Sequence, residues 1–307
     1  MISTFFDKTK PINFLVLLGL AMLLFWAATF KLHGFQLNYA EVFERILASV
    51  SLVLSIFLLG NIVQKKKLTL DNSFAMLFFS LLLFVFFDVL ENTRIIFCNF
   101  FLIMSWDRAL ALKSEKNQKE KVFESALWTL VASLFVDWAV LFLVPLYIAI
   151  GFFCGRQLRL WLMPLAAFCC VLLLVWASMQ VLVDTGFFRS HYRFSTSLHF
   201  FLQPNYGIII YLILILIPVF VVFGKMGYRR LGRTLSLRLT FAYLVLTILL
   251  LILTSGNESG MELLSFFAAS VFLANYIETI KKQRFKETLI IACIALPILS
   301  FVIRLFQ

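Results

Sequence analysis

Long apolar runs alternate with short polar breaks from one end of the chain to the other. Counted between breaks, the runs lie near residues 11–30, 46–63, 73–90, 94–110, 124–137, 139–154, 161–183, 207–224, 239–254, 263–280 and 287–304. None alternates at the period of two that a barrel strand needs, and most approach the ~20 residues with which a helix crosses ~30 Å of hydrocarbon. Backbone amides in lipid must bond within their own segment, so each run reads as an α-helix. The pattern predicts an all-α polytopic transmembrane bundle of about eleven spans, with residues 1–307 forming a single integral membrane domain.

Two places need more than a run count. In VASLFVDWAVLFLVPLYIAI, at 131–150, one acid interrupts an otherwise apolar stretch. The segment 124–155 is too long for one ordinary span, so a short helical hairpin at 124–154 is expected, with Asp137 and Trp138 at its turn. Each leg would rise only about 21 to 24 Å, which puts the tip below the membrane surface, in a cavity lined by protein. In KLHGFQLNYAEVFER, Tyr39, Val42, Phe43 and Ile46 recur at i, i+3, i+4 and i+7, which predicts a helix lying in the interface before the second span.

Composition agrees with the runs. Hydrophobic residues make up 62% and charged residues 14% of the chain, and mean hydropathy is +0.98. Soluble domains carry about 25% charged residues. The net charge of +11 comes from short clusters between runs rather than from one basic face, so nucleic acid is excluded as a partner. With eleven crossings and a cytoplasmic N-terminus, 21 of the 27 basic residues fall on the cytoplasmic side. Only Lys31, Arg45, Arg94, Arg189, Arg193 and Arg304 fall outside. Lys8 and Lys10 precede the first run and no small-x-small cleavage site follows it, so that run is expected to remain as a span. Cys98, Cys154, Cys169, Cys170 and Cys293 sit in or beside apolar runs and are expected as buried free thiols. Trp26, Trp106, Trp138 and Trp161 fall near span ends, where interfacial indoles belong.

Candidate chemistry lies on the outer side. The inner loop DRALALKSEKNQKEK, at 107–121, mixes both signs without Gly-rich phosphate-loop spacing, and reads as a solvated loop meeting anionic lipid. His33, His191 and His199 all fall outside, but their spacings fit no zinc pattern, so no metal and no cofactor are assigned. Glu41 either pairs with Arg45 one helical turn on or faces a cavity as a general base. The loop VDTGFFRSHYRFSTSLHFFLQPNYG, at 183–207, sets Arg189, His191, Arg193 and His199 among aromatics. Guanidinium binds phosphate oxygens in pairs, so this loop suits a lipid phosphate; the alternative is an interfacial loop anchored by Arg and aromatics. Asn99, Ser133 and Gln180, polar residues inside runs, are expected to bond between helices.

The segments MISTFFDKTKPINF, WDRALALKSEKNQKEKVFESALWTLVASLF and GRQLRLWLMPLAAF resemble an uncharacterised family of polytopic inner-membrane proteins of gliding-type Gram-negative bacteria. That resemblance implies integral residence in the bacterial inner (cytoplasmic) membrane. The layout of an acidic first outer loop, a short hairpin with a polar tip followed by Pro145, a long outer loop after the seventh span, and the late turn SGNESGMELLSFF is similar to multi-span glycosyltransferases that use polyprenyl-phosphate sugars. Those enzymes place an aspartate in the first outer loop as base; this loop offers Glu41 and Glu44. The resemblance implies envelope biogenesis, with Glu41 as base, Asp137 orienting the sugar, and Arg189, His191, Arg193 and His199 holding the lipid phosphate. A non-catalytic subunit contacting other envelope proteins is a second reading. A transporter or flippase, which would need a polar path through the bundle, is a third.

Overall fold

The computed structural model describes residues 6–7, 10–33, 38–155, 157–182, 191, 194, 206–225, 231–254 and 259–306. Among these residues there are eleven α-helices, two 3-10 segments and no strand. The helices are α1 (Pro11–His33), α2 (Tyr39–Lys65), α3 (Phe74–Val85), α4 (Thr93–Ala111), α5 (Gln118–Ala132), α6 (Leu143–Phe153), α7 (Leu158–Leu182), α8 (Tyr206–Gly224), α9 (Leu231–Thr254), α10 (Leu263–Thr279) and α11 (Gln283–Phe306). One helix falls on each apolar run. Five of them, α1, α2, α7, α8 and α9, are long and apolar enough to cross a membrane.

Two short helices, α3 and α10, occupy the centre. Every residue of α3 from Phe74 to Phe84 is buried, as is every residue of α10 from Leu263 to Asn275. Helices apolar on all sides belong inside a bundle, and these two pack on each other. The approach is close: a Cβ on Gly60 of α2 would stand 2.5 Å from Met76 Sδ of α3 and 2.9 Å from Phe14 Cε1 of α1, so only glycine lets these helices meet as they do. By contrast α7 and α8, equally apolar, line the perimeter and expose most of their residues.

Four expectations change. The run 73–90 is not one helix: α3 stops at Val85, Phe86 leaves helical geometry (φ −107°, ψ 59°), and a 3-10 segment, Phe87–Glu91, continues. Irregular backbone is sustainable there because Phe87, Val89 and Leu90 are enclosed by protein. No separate interfacial helix precedes the second span, since α2 runs unbroken for 27 residues. Tyr39, Phe43 and Ile46 form the exposed start of that same helix. Trp106 and Trp138 are buried inside the bundle rather than placed at an interface. All five cysteines are free, and Cys169 and Cys170 lie exposed on α7, not buried.

Contacts between loops define two ends. At one end Lys66 pairs with Asp107 at 3.3 Å, Arg108 with Glu124 at 2.9 Å, and Lys286 with Asp7 at 2.5 Å. Lys121 Nζ donates to the carbonyls of Ala111 and Ser114, a cation satisfying the last turn of α4. Lys66, Arg108, Lys121 and Lys286, from different basic clusters of the sequence, thus lie at one end.

The strongest assembly at this end is a clasp around the turn between α2 and α3. Arg233 Nη2 of α9 donates to Glu278 Oε2 of α10 at 2.7 Å and to Asn275 Oδ1 at 3.0 Å, while its Nε donates to the Leu68 carbonyl. Glu278 Oε1 accepts the Leu70 amide at 2.6 Å and the Asn72 side-chain amide at 2.8 Å, and Asn275 Nδ2 donates to the Leu68 carbonyl. Glu278 is only 6% exposed, yet both its oxygens are occupied.

At the opposite end lie Asn38, the 3-10 segment Phe87–Glu91, the hairpin tip and the turn 259–262. Arg45 donates to the Leu90 carbonyl at 3.3 Å, and Asn92 Nδ2 to the Ser259 carbonyl at 3.1 Å. The hairpin is present, but its turn falls at residues 133–136, and Asp137 opens the second leg with a 3-10 segment, Asp137–Phe142, before α6. Phe97 and Phe101 of α4 stack on Trp128 and Phe135, and Ser105 bonds Ser125 and Thr129 at 3.0 and 2.7 Å, fixing the hairpin against α4.

Candidate functional site

The hairpin tip carries Asp137 and Trp138 and meets one residue of the long loop. Four backbone bonds close it, from Leu134 to Val131, Phe135 and Val136 to Ala132, and Ala139 to Val136, so the turn leaves few amides unmet. Asp137, half-buried, starts the 3-10 segment. Beside it Trp138 is buried and packs edge-to-face on Phe194 of the long loop, with centroids 5.1 Å apart. His191 is three residues from Phe194 and half-buried. The structure therefore seats a described part of the 183–207 loop on the tip that carries Asp137. Arg189, Arg193 and His199 lie outside the described residues.

Below the tip an aromatic column leads inward. Phe142 meets Tyr243 at 4.8 Å, and Tyr243 meets Trp106 at 4.9 Å and Phe267 at 6.1 Å. Asn99 lies two helical turns from Trp106 on the same face of α4, since seven residues carry a helix through almost two full turns. Asn99, Trp106 and Tyr243 are all buried, and the Asn99 amide, the Trp106 indole N–H and the Tyr243 hydroxyl have no hydrogen-bond partner. The expected helix-to-helix bond from Asn99 is not made. Ser133 bonds the Leu130 carbonyl of its own helix at 2.7 Å, and Gln180 is exposed on α7. The interhelical role falls instead to Ser105, Ser125 and Thr129.

Glu41 stands elsewhere at the same end. It is exposed, and its Oε2 accepts the Asn38 amide at 3.2 Å, completing a capping box with the Asn38 side chain. Arg45, one turn further along α2, donates to the Leu90 carbonyl at 3.3 Å. Glu44 accepts the Thr93 hydroxyl at the start of α4, where a carboxylate meets the positive end of a helix. α2 packs on α1, α3 and α4, whereas the hairpin packs on α4, α7 and α9. Glu41 and Asp137 are thus carried by elements that share only α4 as a main neighbour.

One group the sequence did not single out is Glu262, at the entrance to α10. Burial pushes its carboxyl above the usual range, and Asp88 nearby pushes the same way against backbone amides of Glu262 and Gly260. Gly260 makes the turn possible with φ +92°, a conformation strained for any residue with a Cβ. Immediately inside, Tyr211 and Ser265 share a hydrogen bond of 2.5 Å, and Ser265 donates to the Glu262 carbonyl at 2.6 Å. The local signal was present in SGMELLS, a glycine and an acid at the mouth of an apolar run, but nothing in the sequence announced the depth of that acid.

Among the described residues no three His, Cys, Asp or Glu side chains gather closely enough to hold a metal ion. The arrangement offers a half-buried carboxylate, an imidazole and tilted or edge-to-face aromatic rings at one end, which suits binding of a polar group more directly than it suits proton transfer. No family model matches the chain, and no curated protein or solved structure is similar to it.

Proposed function

We propose that this is an integral protein of the bacterial inner membrane that crosses it eleven times, with the N-terminus and the base-rich end in the cytoplasm. Its opposite end faces outward and serves envelope biogenesis by taking a polyprenyl-phosphate-linked sugar at the hairpin tip. Asp137 orients the sugar, Arg189, His191, Arg193 and His199 hold the phosphate, and Glu41 deprotonates an acceptor hydroxyl. The observation that supports this reading is the packing of Phe194, one residue of the long loop, on Trp138, the neighbour of Asp137. Lipid mass spectrometry on a deletion strain, complemented with wild type, Glu41→Gln or Asp137→Asn, tests it. Accumulation of a polyprenyl-phosphate sugar relieved by wild type alone is the expected result, and a lipid pool identical in all strains overturns it.

A second reading, a non-catalytic subunit of a membrane complex, is favoured by the placement of Glu41. Its carboxylate serves as a helix cap, and its helix shares with the hairpin only α4 as a main neighbour. Under that reading Glu41→Ala or His191→Ala changes the proteins that co-purify and leaves the lipid pool untouched.

A further inference from the structure

Away from the hairpin tip, α6 and α7 leave an apolar groove of about 450 Å³ lined by Val144, Tyr147, Ile148, Gly151, Phe152 and Trp161. The five α6 positions follow i, i+3, i+4, i+7 and i+8, so they form one stripe along the helix, about 12 Å long. Val144, Ile148 and Phe152 are exposed on it. One wall is the indole of Trp161, stacked on Tyr147 with centroids 5.8 Å apart and held by a bond from its Nε1 to the Gly155 carbonyl at 3.1 Å. Gly151 faces that indole without a side chain, and a Cβ there would come within 3.8 Å of it. The walls are therefore fixed by packing and a hydrogen bond, and the missing side chain keeps the groove open.

The groove is polarised along its length. Its Phe152 and Trp161 end lies at the base-rich end of the bundle, where Gln118 of α5 donates to the Phe153 carbonyl at 3.4 Å. Exposed Lys119 and Arg159 stand in the first turns of α5 and α7, next in sequence to Gln118 and two residues before Trp161. The Val144 end runs toward the bundle's middle between apolar walls. An occupant must be wholly apolar over its inner part and anionic where it emerges. We infer that the groove holds one acyl chain of an anionic phospholipid, whose phosphodiester lies against the Lys119 and Arg159 side of the bundle. The inference rests on the chain residing in a bilayer and is independent of any transfer chemistry at the opposite end.

The test uses the full chain in detergent with equimolar phosphatidylglycerol and phosphatidylcholine, read by native mass spectrometry. Wild type is expected to retain phosphatidylglycerol about tenfold over phosphatidylcholine, from the charge attraction of two basic residues. Gly151→Leu, which fills the groove, should abolish retention, and Lys119→Ala with Arg159→Ala should remove only the preference. Should Gly151→Leu fail to fold, Ile148→Trp closes the groove from the other wall. In wild type, an acyl chain brominated near its middle should quench a fluorescence component that Trp161→Phe removes. Equal retention of both lipids, or retention unchanged by filling the groove, overturns the inference. So does a lipid-free dimer that Gly151→Leu dissociates, which would assign the groove to a second copy.

Discussion

At the scale of single residues, the bundle's least settled groups are polar atoms enclosed without partners. Tyr243 is surrounded by Phe142, Trp106 and Phe267, and its hydroxyl bonds to nothing. An unpaired buried hydroxyl costs about 1–3 kcal/mol, which phenylalanine would not incur. Tyr243→Phe should therefore raise the midpoint of thermal unfolding in detergent, and a fall would show that the hydroxyl serves a partner bound in the working protein. Glu262 gives a pH signature. Its folded pKa lies above the ordinary value of 4.5, so the protonated form is the one the fold prefers. Stability from this group is fully present below about pH 4.5 and is lost as pH rises through the elevated value. Wild type should unfold progressively more easily from about pH 4.5 upward, and Glu262→Gln should flatten that slope; parallel curves for the two proteins would contradict the placement of this carboxyl.

At the scale of elements, the position of every described helix was legible because each falls on an apolar run, and polar breaks mark the ends. What covers each helix was not legible. In water an apolar face reports burial, but beside hydrocarbon the lipid-facing α7 and the enclosed α3 are both apolar throughout. The break at Phe86 was hidden for the same reason, since LLLFVFFDVL contains no proline or glycine to mark it. The Glu278 clasp was hidden by distance: Glu278 and Leu70 are 208 residues apart and belong to no motif. Asp137 was legible as a turn signal because a lone acid in an apolar run is expensive to place anywhere else. The clasp carries a direct expectation. Glu278→Ala leaves Arg233 without its counter-charge and the Leu70 amide without an acceptor, which should cost about 3–5 kcal/mol. Arg233→Met combined with Glu278→Leu should cost less than the single change, as chemical unfolding of the two variants would show.

At the scale of the whole molecule, the base-rich and base-poor ends make a prediction about sidedness. In a background without native cysteines, Lys116→Cys should react with a membrane-impermeant maleimide only after cells are permeabilised. Tyr39→Cys, 98% exposed at the other end, should react in intact cells. The opposite result would invert the proposed topology and place the hairpin tip in the cytoplasm.

The clasp also imposes an order on the life of the chain. Its parts come from residues 68–72, 233 and 275–278, so the turn after α2 emerges early in synthesis and waits for most of the remaining protein before its carbonyls and amides find their partners. Until α10 arrives, α3 has neither the length to hold itself across the bilayer nor the neighbour that encloses it. The nascent protein must therefore keep its early helices near the insertion machinery, and a ribosome that stops after α9 leaves behind an open core, with Arg233 uncompensated, in the form membrane proteases recognise.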